Sequence, residues 1–528
     1  MHRREFIQLS TALTGLSLLA QACSPKRPIP GEIVGASSSI GHLLREGKFG
    51  DPTSTTHCEV AIVGGGISGL SAARWLKLHG IDDLVVLDLE NHVGGNASSG
   101  RNPVSAYPWG AHYIPTPNNN LTEYLEFLQA SGVITGYDPQ NLPIYNDYYL
   151  CFDPHERLYL NGSWQTDLLP RLGLPTADTT EITRFLKQME QYRSAKGGDG
   201  LDAFTIPVDN SSKDPAYTAL DSLTMAQWLD QQQFHSPYLS WYVNYCMRDD
   251  FGTPAHLISA WTGIHYYAAR KGRGANAKPY DVITWPEGNG FLVGELCRSI
   301  GKNLQPNSLA IKINPPGEVQ YYDTITKQVK ALQAKHIILA VPQFVANRLL
   351  PVSPDRAHTV KEMQYSPWLV ANLTVNTLTE RSGAPLSWDN VIYGSESLGY
   401  VEATHQQIQQ IKEKKVLTYY WPLTHTDPVA ARGWAFQRKH ADWVADILAD
   451  LRKVHPDIDT QTENIDLMLW GHAMAQPRPG WIHGPHRPLL QQSFSNNIHF
   501  AHTDLAGISI FEEGFYQGIK AANKILQA

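Results

Sequence analysis

Apolar positions along the chain group into a few recurring patterns. The run Glu59-Val60-Ala61-Ile62-Val63 is β-branched and of strand length, and it ends on a cluster of glycines. Leu70-Ser71-Ala72-Ala73-Arg74-Trp75-Leu76 then reads as a helix and Leu84-Val85-Val86-Leu87 as a second strand. Between residues 116 and 284 the pattern is mainly helical, with helices predicted over 121–130, 181–192 and 224–231, the last behind the cap candidates Ser222 and Thr224. Strands return as Leu309-Ala310-Ile311-Lys312-Ile313, as a hairpin over 317–322 and 327–331, and as the apolar run 335–342, which lacks alternation as a strand covered on both faces must. A further strand is predicted at Tyr419-Tyr420-Trp421.

Composition narrows what these elements can belong to. The chain has 528 residues, 42% hydrophobic and 18% charged, with 14 Trp and 24 Tyr. That length predicts two or three domain-sized units, and the composition a folded, aromatic-rich protein rather than a disordered or collagen-like one. The formal net charge is −7, with none of the clustered cations that nucleic acid demands, so no nucleic-acid partner is expected. Five cysteines, at 23, 58, 151, 246 and 297, show no C-x-x-C pair; structural zinc and a dense disulfide network are disfavoured, and one disulfide is left open. The 21 histidines contain no H-x-x-x-H pattern, so no metal site is assigned.

The N-terminus reads as an address. Arg3-Arg4 followed by a short, weakly apolar stretch resembles a bacterial twin-arginine export signal, and the stretch falls short of the roughly 20 apolar residues of a membrane span. Leu19-Ala20-Gln21-Ala22-Cys23 resembles a lipoprotein box with Cys23 as the lipidated residue, and reads equally as an A-x-A cleavage site. The Pro-rich residues 24–31 suit a tether. These features imply the twin-arginine machinery as a partner and a periplasmic or cell-envelope location.

Chemistry is clearest at Gly64-Gly65-Gly66-Ile67-Ser68-Gly69, between the first strand and its helix. Gly64 permits the tight turn, Gly66 lets a pyrophosphate approach the backbone beside Ser68, and Gly69 lets helix and strand pack closely. Asp88, 19 residues after Gly69 at the end of the second strand, stands where a carboxylate accepts hydrogen bonds from a ribose diol.

The residues beyond this acid carry a family resemblance. Asp88-Leu89-Glu90-Asn91-His92-Val93-Gly94-Gly95-Asn96 resembles the E-x-x-x-x-x-G-G-R extension of the FAD-dependent amine oxidase superfamily, which includes flavin amine oxidases, protoporphyrinogen oxidases and phytoene desaturases. Gly95 is retained, and Asn96 stands where many members carry Arg, so the charge opposite the pyrophosphate is lost. Residues 497–504 resemble the family's last strand and Gly514-Phe515-Tyr516-Gln517-Gly518 its closing helix; the resemblance implies that Asp504 binds the ribityl chain and that Glu513-Gly514-Phe515 faces the pyrimidine end of the flavin. Trp285-Pro286-Glu287-Gly288-Asn289-Gly290 resembles a further turn of the family, and the strand after it implies adenine contacts from Ile311 or Ile313. Trp109-Gly110-Ala111-His112-Tyr113 resembles a turn close to the isoalloxazine ring, which puts Ala111 beside the cofactor and makes His112 a proton acceptor, a charge stabiliser or a structural contact.

The same resemblance implies an α/β fold: a Rossmann-like FAD-binding domain built from discontinuous segments (57–115, 285–350, 481–528) plus an α+β substrate-binding domain (116–284, mainly helical, and 351–480), behind the export signal 1–22 and a tether 23–56. Family members carry a Lys near flavin N5; here that position falls on Ala371 or Asn372, so the Lys is missing, which weakens the case for rapid reaction with oxygen and leaves hydride transfer open. Phe511 stands where amine oxidases place an aromatic facing the flavin, and Trp421 is a further catalytic candidate. Trp241, Tyr242, Tyr245, Trp261, His265, Tyr266 and Tyr267 are dense enough to wall an aromatic pocket, or to be ordinary core. Three readings are open: an exported FAD-dependent oxidoreductase taking a hydride from an amine or related C–H donor and passing electrons to oxygen or a quinone; a phytoene-desaturase-like dehydrogenase of a lipophilic substrate with a quinone acceptor; and a non-catalytic flavin-binding envelope scaffold.

Overall fold

The computed structural model describes residues 28–278, 280–408 and 413–527; the proposed export signal at 1–22 and Cys23 lie outside them. Two seven-stranded sheets organise the chain. In the first, Thr55–Val63 lies between Leu84–Leu87 and Gln328–Leu339, parallel to both, and Ile498–Phe500 adds in parallel to the end of Gln328–Leu339. Val60 and Ile62 point into one core cluster, under the helices Ile67–Leu78, Gly290–Ile300 and Phe511–Leu526, while Ala61 and Val63 point into the other. Both faces are covered, which is why these strands show no polar alternation.

The predicted hairpin arm 327–331 and buried strand 335–342 are one continuous strand, Gln328–Leu339. No turn residue separates them. One edge of this strand follows Thr55–Val63, and the other pairs first with Glu318–Asp323 and then with Ile498–Phe500, so a single strand changes neighbours midway.

The second sheet runs in the order Thr462–Ala475, Tyr365–Val375, Lys415–Pro422, Tyr400–Glu402, Asp389–Ile392, Glu156–Leu160, Ser163–Thr166. Its outer face, including Leu369, Ala371, Leu373 and Tyr419, packs on Trp443, Ile447 and Leu451 of the helix His440–Leu451. Its inner face, including Trp368, Val370 and Tyr420, joins the cluster shared with the helical layer. That layer holds Thr176–Ser194, Met225–Gln231, Pro237–Phe251 and Ala260–Ala268. Thr224 closes a capping box with Gln227, as its spacing predicts. Pro237–Phe251 went unread although it begins on Ser236-Pro237 and stops on Gly252 at φ +57°, both ordinary helix boundaries.

Residues 30–34 form a strap along the edge of the second sheet: the Ile465 and Leu467 amides donate to Pro30 and Glu32, and the Val34 amide donates to Leu467. Three residues on, the Ser37 amide and hydroxyl both donate to the Glu90 carboxylate in the first sheet's second loop. Among the described cysteines, Cys58, Cys151, Cys246 and Cys297 are free thiols, so none of them forms the disulfide left open by the sequence.

Candidate functional site

Three glycines shape the cradle at the first strand's end. Gly64 has φ +106°, a region L-residues rarely adopt. A Cβ on Gly69 would stand 1.9 Å from the Gly64 carbonyl oxygen, which is the close helix–strand approach the motif predicts. Gly66, by contrast, has no atom within 4 Å of where a Cβ would stand. It caps the helix Ile67–Leu78 without any side-chain acceptor, so the first amides of that helix point into open space as an anion site does. Gly95, at φ +54°, faces Gly66 across this space. The Ser98 hydroxyl close by is buried with no hydrogen-bond partner among the described residues. A dinucleotide pyrophosphate fits this donor set.

Asp88 sits at the neighbouring strand end, where its carboxylate accepts from the Gly65 and Glu90 amides at 2.7 and 2.8 Å; burial pushes its pKa up to about 6 against those hydrogen bonds. Asn96 donates from Nδ2 to the Ala473 carbonyl at 2.6 Å, tying the second glycine turn to the second sheet. The Ala111 amide donates to the Asn96 carbonyl at 2.8 Å, so the turns 94–98 and 109–112 form one unit. Asp504 is buried, and its Oδ2 accepts from the Gln343 amide and the Tyr365 hydroxyl. Burial raises its pKa, yet His502 and these hydrogen bonds outweigh that and hold it below the usual range.

Several expected contacts lie elsewhere. The Ser68 hydroxyl donates to the Gly514 carbonyl and that of Ser71 to the Phe515 carbonyl; Ser68 is therefore a bolt between two helices. Phe515 stacks on Phe127 and packs against Tyr124, and Phe511 packs on Tyr124, because the closing helix turns these rings into the helical core. Ile313 is buried opposite Val319, whereas Ile311 stays half-buried at a β-bulge and keeps apolar surface to offer. Asn372 is fully engaged, donating to the Pro108 carbonyl and accepting from Thr418. Ala371 lies on the outer face, and the inner face of this strand, with Trp368, Val370 and Asn372, carries no Lys. Trp421 also lies on the outer face, packed against Trp434 and Trp443. Strand alternation gives the inner position to Tyr420.

Tyr420 stacks on His112 at 4.6 Å, and its hydroxyl donates to the Gly110 carbonyl. Trp388 packs against both His112 and Tyr113. Burial pushes the His112 pKa down to about 3, so the ring is neutral at neutral pH and a poor proton acceptor. Carboxyls lie close to this aromatic wall, Asp249 and Asp389 both acting on Tyr113 and Tyr420. Asp389, next to Trp388, is in register with Glu156 on the adjacent parallel strand. Asp249 and Asp250 come from the end of Pro237–Phe251, and Arg270, lying over the Tyr266 ring, pairs with Asp250. Sequence reading missed Ser98, Tyr420, Trp388, Asp249 and Asp389. Only Tyr420 had a usable signal, since alternation from any anchored position in its strand would have chosen it over Trp421.

A dinucleotide cradle joined through one turn to an aromatic wall is the arrangement of a flavin-dependent oxidoreductase. Residues 67–526 match the family of flavin containing amine oxidoreductases, and the chain belongs to that family. It is 22% identical over 556 residues to Oxidoreductase PigB of Serratia sp., covering 95% of this chain and 79% of that one. It is 25% identical over 305 residues to a flavin-containing amine oxidase of Oncorhynchus mykiss, a match that takes in 55% of this chain and 51% of the relative. Among solved structures, a putrescine oxidase variant superposes with a TM-score of 0.67 at 17% identity, covering 90% of this chain and 100% of that one. The cyclohexylamine oxidase of Brevibacterium oxydans gives a TM-score of 0.63 at 16% identity, with 89% and 99% covered. At these identities the superpositions establish the fold. FAD is the family's cofactor, and the cradle residues fit it.

Proposed function

We propose that this chain is an exported oxidoreductase that removes a hydride from the carbon beside an amine nitrogen. Bound FAD supplies the two-electron acceptor. The residues Gly66, Ser98, Asp88 and Gly95 hold its dinucleotide half, and Tyr113, Trp388 and Tyr420 wall the space next to the Gly110–His112 turn, excluding water and offering ring faces to a cation. The observation that carries the amine reading is this aromatic wall with carboxyls behind it. A polyene substrate would offer those carboxyls neither a charge nor a hydrogen-bond partner, which costs free energy, so they speak against the desaturase reading.

The acceptor is a separate matter. With no Lys on the inner face of Tyr365–Val375, the strand lacks the group that the family resemblance associates with oxygen, which supports a quinone as the physiological acceptor. Export through the twin-arginine route, with Cys23 as a lipid tether, rests on Arg3-Arg4 and the box ending at Cys23. The decisive experiment is an anaerobic visible spectrum of the leaderless flavoprotein titrated with amines, followed by reoxidation with air or with a soluble quinone. Loss of the oxidised flavin band with an amine, and faster recovery with the quinone, are the expected results; a band that no amine changes overturns the amine reading.

A further inference from the structure

We propose that a cavity between the helix Pro237–Phe251 and the second sheet binds a small ring-bearing carboxylate, its oxygens on the Arg248 guanidinium and its ring against Trp241. The cavity measures about 390 Å³. Trp241, Asn244, Tyr245 and Arg248 line it from the helix, and Glu396 and His425 from the loops that follow Asp389–Ile392 and Lys415–Pro422. All its lining residues fall within 241–256 or 394–425, outside the segments that form the cofactor cradle, so the site stands whether or not the protein oxidises amines.

Arg248 is the first sign of a ligand. It is only 7% exposed, yet it forms no ion pair among the described residues. Its Nε donates to the Thr424 hydroxyl at 3.1 Å and its Nη2 to the Glu396 carbonyl, while Nη1 has no partner among the described residues and stays reachable from the cavity. Other buried arginines are compensated: Arg157 pairs with Glu380 and Arg487 with Asp209. Arg356 meets no carboxylate, but it stacks on the Phe500 ring and donates from both Nη atoms. Arg248 has neither device among the described residues. A guanidinium taken out of water with one edge uncommitted is costly, and an anion at that edge offsets the cost. Nη1 and the second N–H of Nη2 present two parallel donors, the fork that a carboxylate matches.

The surroundings select what the anion carries. Trp241 stacks beside Tyr245 with ring centroids 5.6 Å apart and packs on Tyr393 at 4.6 Å, so a flat wall is held in place for a ring to lie against. Asn244 accepts from the Ala255 amide through Oδ1, which leaves its Nδ2 as a further donor without a partner among the described residues. His256 and His425 stand at the exposed rim and can donate an N–H in either protonation state. Glu396 is the acid that acts on Arg248; its side chain is exposed and lies beyond ion-pair distance. A negative charge at the rim penalises a second charge on the ligand, which favours a carboxylate over a phosphate dianion.

The test is titration calorimetry of the oxidised holoenzyme, with no amine present, using benzoate, acetate, benzamide and phosphate. Benzoate should bind about tenfold or more tighter than benzamide or phosphate, and several-fold tighter than acetate. Arg248→Gln should weaken benzoate binding by about tenfold or more, and Trp241→Leu should remove the advantage of benzoate over acetate. Glu396→Gln should tighten both carboxylates several-fold, a gain that a misfolded variant cannot imitate. Benzoate should also raise the melting temperature of the parent and not that of Arg248→Gln. Benzamide binding as tightly as benzoate, or benzoate affinity untouched by Arg248→Gln, would overturn the inference. So would a benzoate-induced shift of the flavin band that is the same in the parent and in Arg248→Gln, since the anion would then sit at the flavin. Phosphate binding as tight as benzoate would overturn the carboxylate assignment. No turnover is read in any arm, so amine-dependent bleaching of the flavin succeeds or fails separately.

Discussion

At the scale of single residues, the glycines of the cradle do different work. Gly69 is excluded from carrying a side chain by the protein itself, since a Cβ would meet the Gly64 carbonyl at 1.9 Å; Gly66 is excluded only by what it must admit, because nothing of the protein lies within 4 Å. Gly69→Ala should therefore cost the fold about 1–3 kcal/mol through overpacking and lose FAD with it. Gly66→Ala should leave the melting temperature of the flavin-free protein close to the parent's while weakening FAD binding by about tenfold or more. Melting curves paired with FAD titrations separate the two, and equal loss of stability in both variants would refute this division. The tight turn at Gly64 and the close approach at Gly69 were readable in advance, because a strand, a turn and a helix close together leave little to tertiary context. The roles of Phe511, Phe515 and Ser68 were not, because the angle at which the closing helix meets Ile67–Leu78 decides which side chains meet protein.

Elements add constraints that no residue shows alone. The helices Ile67–Leu78 and Phe511–Leu526 touch almost backbone to backbone, since a Cβ on Gly518 would lie 2.0 Å from the Ser71 hydroxyl and 2.2 Å from the Ser68 carbonyl. The N-terminal strap is the other such device. It covers the edge of Thr462–Ala475 and then grips Glu90, two residues past Asp88, so it bridges both sheets next to the cofactor cradle. Deleting residues 28–46 should expose that edge strand, lower the melting temperature and speed FAD release several-fold. Stopped-flow or dilution measurements of flavin release would check this; an unchanged release rate would mean that the strap covers the edge and nothing more.

Across the whole molecule, burial sets two opposing titrations. His112, His265 and His483 are pushed down to about 3, and His472 and His499 to about 4. Neutral when folded, they favour the folded state above their unfolded value near 6.5, and that stability is lost as pH falls. Glu156, Asp249 and Glu512 are pushed up to about 7 and Glu513 to about 8. Protonated when folded, they add stability below their unfolded values near 4, and that is lost as pH rises through 7 to 8. The melting temperature should fall from about pH 6 towards 9 and also fall below about pH 5. A melting temperature that climbs steadily from pH 6 to 9 would contradict the assignment.

The sequence by itself determined the first strand, its glycine turn and helix, and the second strand that ends before Asp88. All of these are local: a period of two or of 3.6, and a backbone conformation that only glycine adopts readily, are written within a few consecutive residues. Tertiary structure alone decided which face of each strand looks inward, preferring Tyr420 to Trp421 and setting Ala371 against the outer helices. It also brought Asp389 into register with Glu156 from a distant segment. Such a pair has no sequence period, because its members are neighbours only once their parallel strands have paired.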